Sequence, residues 1–313
     1  MKRIASAFLA ACLLFPATSM AANYPTHPIT VISGFAAGGT SDIALRAMAP
    51  ELEKELGQPV LIVNKGGAGG ALAVGDVLTK KADGYTIGFV LATAFTLDVQ
   101  LKKARYAIED FKYLGNVGVS QEGFFAAADA PFKSFSEMVE YAKKTGKELT
   151  CASPAIIDTM MLKVVEAKSG VKFRKVPVKS GGETATQLLG GHVDMGYGGG
   201  IQTPYVKAGK MINLAATNAT PLVLFPDCPT LESMGYPHTG YDNLFVLYVK
   251  KDVPDEICKK LSDAIYKVSN MPAIQDIFLN KAGRSPQAYK AEEIKPILLK
   301  QRSDYKALIE AGK

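Results

Sequence analysis

The chain is predicted to form two Rossmann-like α/β domains, the second inserted into the first and joined to it by a hinge of two segments. Three observations predict this. Short runs of β-branched residues alternate with stretches of helical hydrophobic period, the alternation breaks and then resumes, and glycine-rich turns stand between strands and helices.

In chain order, residues 28–32, 60–63 and 85–90 read as buried strands. Between them Leu45, Met48, Leu52 and Leu56 recur at helical spacing, and Ala71 to Leu78 fits a second helix. This order implies a mostly parallel sheet covered on both faces. After the break, residues 148–152, 173–178, 192–197 and 211–217 are further strands, with helices over 159–169 and 182–189. A last strand at 244–249 precedes helices over 255–269, 272–282 and 291–311, with Pro254 at an early position of the first. The chain is expected to cross outward near residues 120–126 and to return near 240–246. That gives a first domain of residues 22–125 plus 246–313, and an inserted domain of 126–245. Two crossing segments beside a cleft are the geometry of a hinge-closing binding protein.

The first 21 residues read as a secretory signal. Lys2 and Arg3 precede the apolar run Ile4 to Phe15, and Ser19-Met20-Ala21 supplies the small residues of a cleavage site, leaving Ala22 first. Leu9-Ala10-Ala11-Cys12 also resembles a lipoprotein box, but Leu13-Leu14-Phe15 continues the apolar run past Cys12. No later segment has the roughly 18 consecutive apolar residues of a membrane span, so an exported, soluble chain is expected. The formal charge of +6 falls to +4 without Lys2 and Arg3, and the charges are mixed along the chain. That balance suits anionic ligands and gives no nucleic-acid stripe. Cys151, Cys228 and Cys258 remain, which permits one disulfide or three separate thiols. Without a CxxC or a His/Cys cluster, no metal is expected.

Three loops carry the chemistry: residues 35–42, 64–70 and 179–184, each between a strand and a helix. Glycine there lets bare N–H groups approach a ligand, and a helix N-terminus adds partial positive charge. Thr40, Ser41, Ser180 and Thr184 can donate beside them or cap their helices. Residues 34–39 have the glycine spacing of a phosphate loop, but Thr40 stands where its lysine belongs, and these loops hold no GxGxxG. The chain has no GxSxG nucleophile elbow. Its three histidines, His27, His192 and His238, read as structural, and no cofactor is implied. A carboxylate pair among Asp42, Asp158, Glu183 and Asp194 stays open as an acid–base alternative, so an exported hydrolase is the third reading.

Taken together the segments resemble the periplasmic solute-binding proteins of tripartite tricarboxylate transporters, the Bug or TctC family. The marks are Tyr24 to Ile29, Phe35 to Asp42 with Arg46, Gly57 to Val60, Asn64 to Gly70, Asp83 to Thr86, Leu188 to Asp194 and Pro226 to Gly235. The resemblance implies a Venus-flytrap periplasmic binding protein without catalysis. It would hold a small carboxylate in the cleft and deliver it to one large and one small membrane subunit. Carried over residue by residue, it nominates Ala37, Gly38, Gly39, Thr40, Ser41 and Asp42 from the first loop and Ala68 and Gly69 from the second. Closure is expected to bring Ser153, Ser180, Gly181 and Tyr197 over the far end of the ligand.

The second-domain face departs from the family pattern. Ser153 to Asp158 stands for "SPGVGS", Pro177 to Ser180 for "PYKG", and the chain has no tryptophan. Asp158 would meet a ligand amine or cap the following helix, and Lys179 would pair with a second carboxylate or stay solvated. A monomer is expected. The alternative partner is a membrane histidine kinase, for which the same flytrap would be a sensor.

Overall fold

The computed structural model describes residues 23–101, 104–154 and 156–311. The signal segment, with Cys12 and the expected cleavage site, lies outside them.

The first half runs β1 (Ile29–Ser33), α1 (Thr40–Leu56), β2 (Val60–Asn64), α2 (Ala71–Thr79), β3 (Thr86–Leu91), the short α3 (Thr93–Thr96) and α4 (Asp98–Leu101), and β4 (Phe111–Ser120). A second unit follows: β5 (Glu122–Ala127), α5 (Phe135–Thr145), β6 (Leu149–Ser153), α6 (Ile157–Ser169), β7 (Phe173–Pro177), α7 (Gly181–Leu189), β8 (Met195–Gly199), α8 (Thr203–Lys207) and β9 (Met211–Ala216). The chain then returns through β10 (Leu244–Lys250), α9 (Asp255–Ser269), α10 (Pro272–Asp276), β11 (Arg284–Ser285) and α11 (Ala291–Ala311).

The strands form a six-stranded sheet, β11-β4-β10-β3-β1-β2, and a five-stranded sheet, β7-β6-β8-β5-β9. Neither is mostly parallel, which corrects the expectation from the sequence. In the first, β1 pairs parallel with β2 and β3, while β10 runs antiparallel to β3 and β4. In the second, β6 pairs parallel with β7 and β8, while β5 runs antiparallel to β8 and β9. The reason is the double crossing. A strand that leaves a sheet toward its neighbour and one that comes back beside it must point opposite ways, so β4 and β10 are antiparallel neighbours.

Each sheet is covered on both faces. Alternate residues of β10 face opposite ways, as strand geometry requires. Leu247 and Val249 join Leu45, Met48 and Leu52 of α1 and Leu261 and Val268 of α9. Val246 and Tyr248 join Val74 of α2, Phe95 of α3 and Leu298 of α11. In the second sheet Phe124 packs with Met138 of α5 and Val165 of α6, whereas Phe125 packs with Leu188 of α7. α11 serves both sheets: Ile294 and Leu298 lie in the first core, Tyr305 and Leu308 in the second.

The change of sheet falls at Gln121, between β4 and β5, and buried polar groups close it. Asn218, fully buried, accepts from the Glu122 N–H (2.8 Å) and donates to the Ser120 carbonyl (2.7 Å). The Ser120 N–H bonds the Asn243 carbonyl (2.8 Å), and the Thr217 N–H bonds the Glu122 carbonyl (2.9 Å). Gln301 of α11 donates to the Asp242 carbonyl (2.5 Å), a further tie across the same point. Cys151, Cys228 and Cys258 are free thiols.

The β3–β10 pairing generates two stability predictions. The Tyr248 ring lies across Gly88, its cross-strand partner: a β-carbon on Gly88 would meet Tyr248 Cζ at 2.1 Å. Gly88→Ala should therefore lower stability by about 1–3 kcal/mol through overpacking. The Tyr248 hydroxyl is buried with no hydrogen-bond partner among the described residues. Tyr248→Phe should thus be neutral or stabilising by up to about 1 kcal/mol. Urea midpoints of the two variants check both.

Candidate functional site

The strand directions put the carboxyl ends of β1, β2 and β3 toward those of β6, β7 and β8, and open α/β sheets bind ligands at such ends. A cavity of about 790 Å³ lies there, large enough for a small organic molecule. From the first sheet it receives Gly34 to Ala37 after β1, Gly66 to Gly70 after β2, and Thr93, Leu97 and Asp98 after β3. From the second it receives Pro154, Ile156 and Ile157 after β6, Lys179 after β7, and Tyr197 of β8. Glu122 and Asn243 stand at the crossing itself. A hollow of about 770 Å³ beside α9 and α11 gathers none of these loops.

Of the residues nominated from the sequence, Ala37, Ala68, Gly69 and Tyr197 line this cavity. The others stand behind or beside it. Asp42 is buried: its Oδ2 accepts from the Gly38 N–H (2.9 Å) and Arg46 Nε (2.8 Å), its Oδ1 from Asn64 Nδ2 (2.8 Å). Burial works to raise the Asp42 carboxyl, but Arg46, Gly38 and Asn64 outweigh it and hold it below the usual value. Asp42 thus braces the first loop against the second. Gly39 caps α1 with extended backbone. The Ser41 hydroxyl accepts from Arg284 Nη2 (3.3 Å), and Arg284 is buried with its guanidinium 3.5 Å over the Phe245 ring. Thr40 opens on a separate cavity of about 200 Å³ beside Lys207 and Lys281.

Across the cleft, the Ser180 hydroxyl caps α7 by accepting from the Glu183 N–H (3.2 Å), while Glu183 accepts from the Lys179 N–H (2.8 Å) just before the cap. Gly181 packs on Ile201, and Ser153 is buried at the end of β6. Asp158 is fully buried and pairs with Lys175 (3.1 Å), and none of His27, His192 and His238 lines the cavity. Lys179 does line it, exposed, and among the described residues its ammonium has no ion-pair partner.

The sequence reading missed Glu122, Asn243, Asp98 and Thr93. Glu122 is the most unusual. It is 7% exposed in the cavity wall and accepts from the Tyr197 hydroxyl (2.7 Å) and Asn243 Nδ2 (3.0 Å). Burial pushes its carboxyl above the ordinary carboxylate range, against the pull of bonds from Tyr197, Asn243 and Ser120. The one signal for it was a lone acid opening the apolar run Gly123 to Ala127.

That environment sets the sign of a pH dependence. With the folded value above the unfolded one, the folded state binds the extra proton in between, so stability falls as pH rises through that window. Above it the full penalty of a buried carboxylate is present. Glu122→Gln removes the penalty, so at about pH 8 it should melt above the wild type, and the gap should narrow toward about pH 5. Melting midpoints at both pH values check this, and a pH-independent gap contradicts it.

Among the described residues there is no helix long and apolar enough to cross a membrane and no group of His, Cys, Asp and Glu that would hold a metal. Residues 44–313 match the tripartite tricarboxylate transporter family receptor, TctC. A Cupriavidus necator protein described as a UPF0065 protein in the gbd 5′ region is 33% identical over 297 residues, covering 94% of this chain and 90% of its own. The ligand-free crystal structure of a TctC solute-binding protein from Polaromonas superposes with a TM-score of 0.73 at 26% identity, over 92% of this chain and 99% of that one. MatC from Rhodopseudomonas palustris with bound malate has the same fold, at TM-score 0.77 and 23% identity, over 91% of this chain and 100% of that one. A match over most of the chain, with two α/β sheets facing a shared cavity, shows that this protein belongs to the tripartite tricarboxylate transporter family receptors.

Proposed function

We propose that this protein is an exported receptor that binds a small carboxylate in the cavity between its two domains and delivers it to the membrane subunits of a tripartite transporter. The observation that carries the reading is the cavity wall. Two glycine-rich loops line the cavity from one side, and Lys179 lines it from the other. Oriented amides and an unpaired ammonium together hold an anion without a buried arginine. Malate in a protein of the same fold points to the same ligand class. The periplasm is the compartment this reading assigns.

On this reading the ligand bridges the domains. The first-domain loops take one carboxylate, and Lys179 meets the other end as the cleft closes. A ligand drives closure only through contacts that are better in the closed form, and Lys179 is such a contact. A micromolar affinity corresponds to about 8 kcal/mol, within reach of a few charge-assisted bonds and desolvation.

The test is a thermal-shift screen of refolded, ligand-stripped protein against dicarboxylates of graded length, citrate, aromatic carboxylates and acidic amino acids. A true ligand at about a hundred times its dissociation constant adds about 2.7 kcal/mol and should raise the midpoint by about 5 °C or more. Lys179→Met should then weaken that ligand about tenfold, or about 1.4 kcal/mol. A folded protein that shifts with no carboxylate overturns the reading.

A further inference from the structure

We infer that Arg284 is a positioning residue for the bound acid: a buried cation without a counter-ion, set behind the first loop, whose charge acts on the ligand carboxylate through two phenyl rings. This rests on the carboxylate-receptor reading above and adds to it a residue that touches no ligand.

β11 pairs antiparallel with β4 and sets Arg284 opposite Ser120, beside the crossing. Arg284 is 1% exposed. Its Nη1 donates to the Val117 carbonyl (2.9 Å) and its Nη2 to the Ser41 hydroxyl (3.3 Å), whereas Nε has no acceptor among the described residues. The stem is packed in place, since a β-carbon on Gly118 would come within 2.9 Å of Arg284 Cδ. Asp42, the residue after Ser41, is taken by Arg46. Burial alone pulls the guanidinium down, to about 9, and no acid draws it back. At neutral pH the group is therefore charged, buried and unpaired, although buried charges are as a rule paired.

Its position shows what completes it. The guanidinium lies 3.5 Å over the Phe245 ring, and that ring stands 5.6 Å from the ring of Phe35, a residue of the cavity lining. The charge is thus within about 9 Å of the Phe35 ring. Through Ser41 it also reaches the first turn of α1, so it backs residues 35–42 from both ends. Hydrocarbon rather than water fills the space between, and the field is screened less than that of a surface charge. Direct contact with the ligand asks for no arginine; Arg284 adds charge at a distance. At about 10 Å and an effective dielectric of about 20, such an attraction is worth about tenfold in affinity for each ligand charge.

The experiment is titration calorimetry of the ligand-stripped, full-length mature protein at about pH 7.5, where these acids are ionised. The probes are succinate, glutarate, adipate and citrate, each against its monoamide, with benzoate as a single charge. Arg284→Met should weaken benzoate and the monoamides of the dicarboxylates about tenfold, and the diacids about thirtyfold or more. Arg284→Gln, which keeps a donor for Ser41 or Val117, should show the same losses. A merely structural role lowers the urea midpoint and weakens a diacid and its monoamide alike, and that result overturns the inference. Wild-type affinity in Arg284→Gln assigns the effect to hydrogen bonds and overturns it as well. Wild-type affinity in Arg284→Met overturns it and leaves the carboxylate receptor standing. A wild type that binds none of the probes overturns the receptor reading and this inference together.

Discussion

Everything in this fold depends on keeping two strands in register where they pass from one sheet to the other. At that point the ladders of both sheets end, and buried backbone groups left unpaired would each cost about as much as a lost hydrogen bond. Asn218 resolves this by serving both sides of the crossing: it takes the Glu122 N–H and gives to the Ser120 carbonyl. The returning segment closes the pattern through Asn243 and Thr217, and α11 braces it from outside through Gln301. The Tyr241 and Tyr305 rings, 4.4 Å apart, add an apolar contact between that segment and α11. The crossing is thus tied by side-chain amides and single main-chain bonds rather than by a continuous ladder.

The same economy of polar groups shapes the cleft. Asp42 does not reach the cavity lining; it fixes the loop that does, holding Gly38, Arg46 and Asn64 at once. The loop after β1 is therefore set before any ligand arrives, and less ordering entropy opposes binding. Glycine is required at its partner loop for a steric reason. A β-carbon on Gly69, whose φ is +71°, would come within 2.4 Å of Asp98 Oδ2. Asp98 thus packs directly on the second loop, and its own place in the wall follows from that contact.

What was legible in the sequence follows from where hydrophobic period is visible. The strands at Ile29, Val60, Thr86, Leu149 and Leu244 stand within a residue or two of their expected places, because their runs are apolar, and all but the edge strand at Val60 are largely buried on both faces. β4 and β5 were read only as a crossing, since Asn116, Ser120, Gln121 and Glu122 make their buried stretch look like a surface loop. The parallel sheet was the wrong inference for a related reason: local order shows βαβ units, but the antiparallel partner β10 arrives more than a hundred residues after β4. At the candidate site, the glycine-rich turns singled out in the sequence contribute to the cavity lining, yet a turn's spacing does not show which of its residues face inward. Ala37, Ala68 and Gly69 do, while Asp42 and Ser180 are spent on bracing and capping. Glu122 and Asn243 are far apart in sequence and meet only through the crossing.

Glu122 is thereby a residue of the crossing and of the cavity wall at once. Its backbone is clasped by Asn218 and Thr217, and its carboxyl faces Tyr197 and Asn243 in the wall. A carboxylate buried there weakens the empty protein, a cost that stability alone would remove by replacing the acid. The main chain that ties the two sheets and the carboxyl that lines the cavity therefore belong to one residue, so a change in the surroundings of that carboxyl acts directly on the strand that joins the sheets.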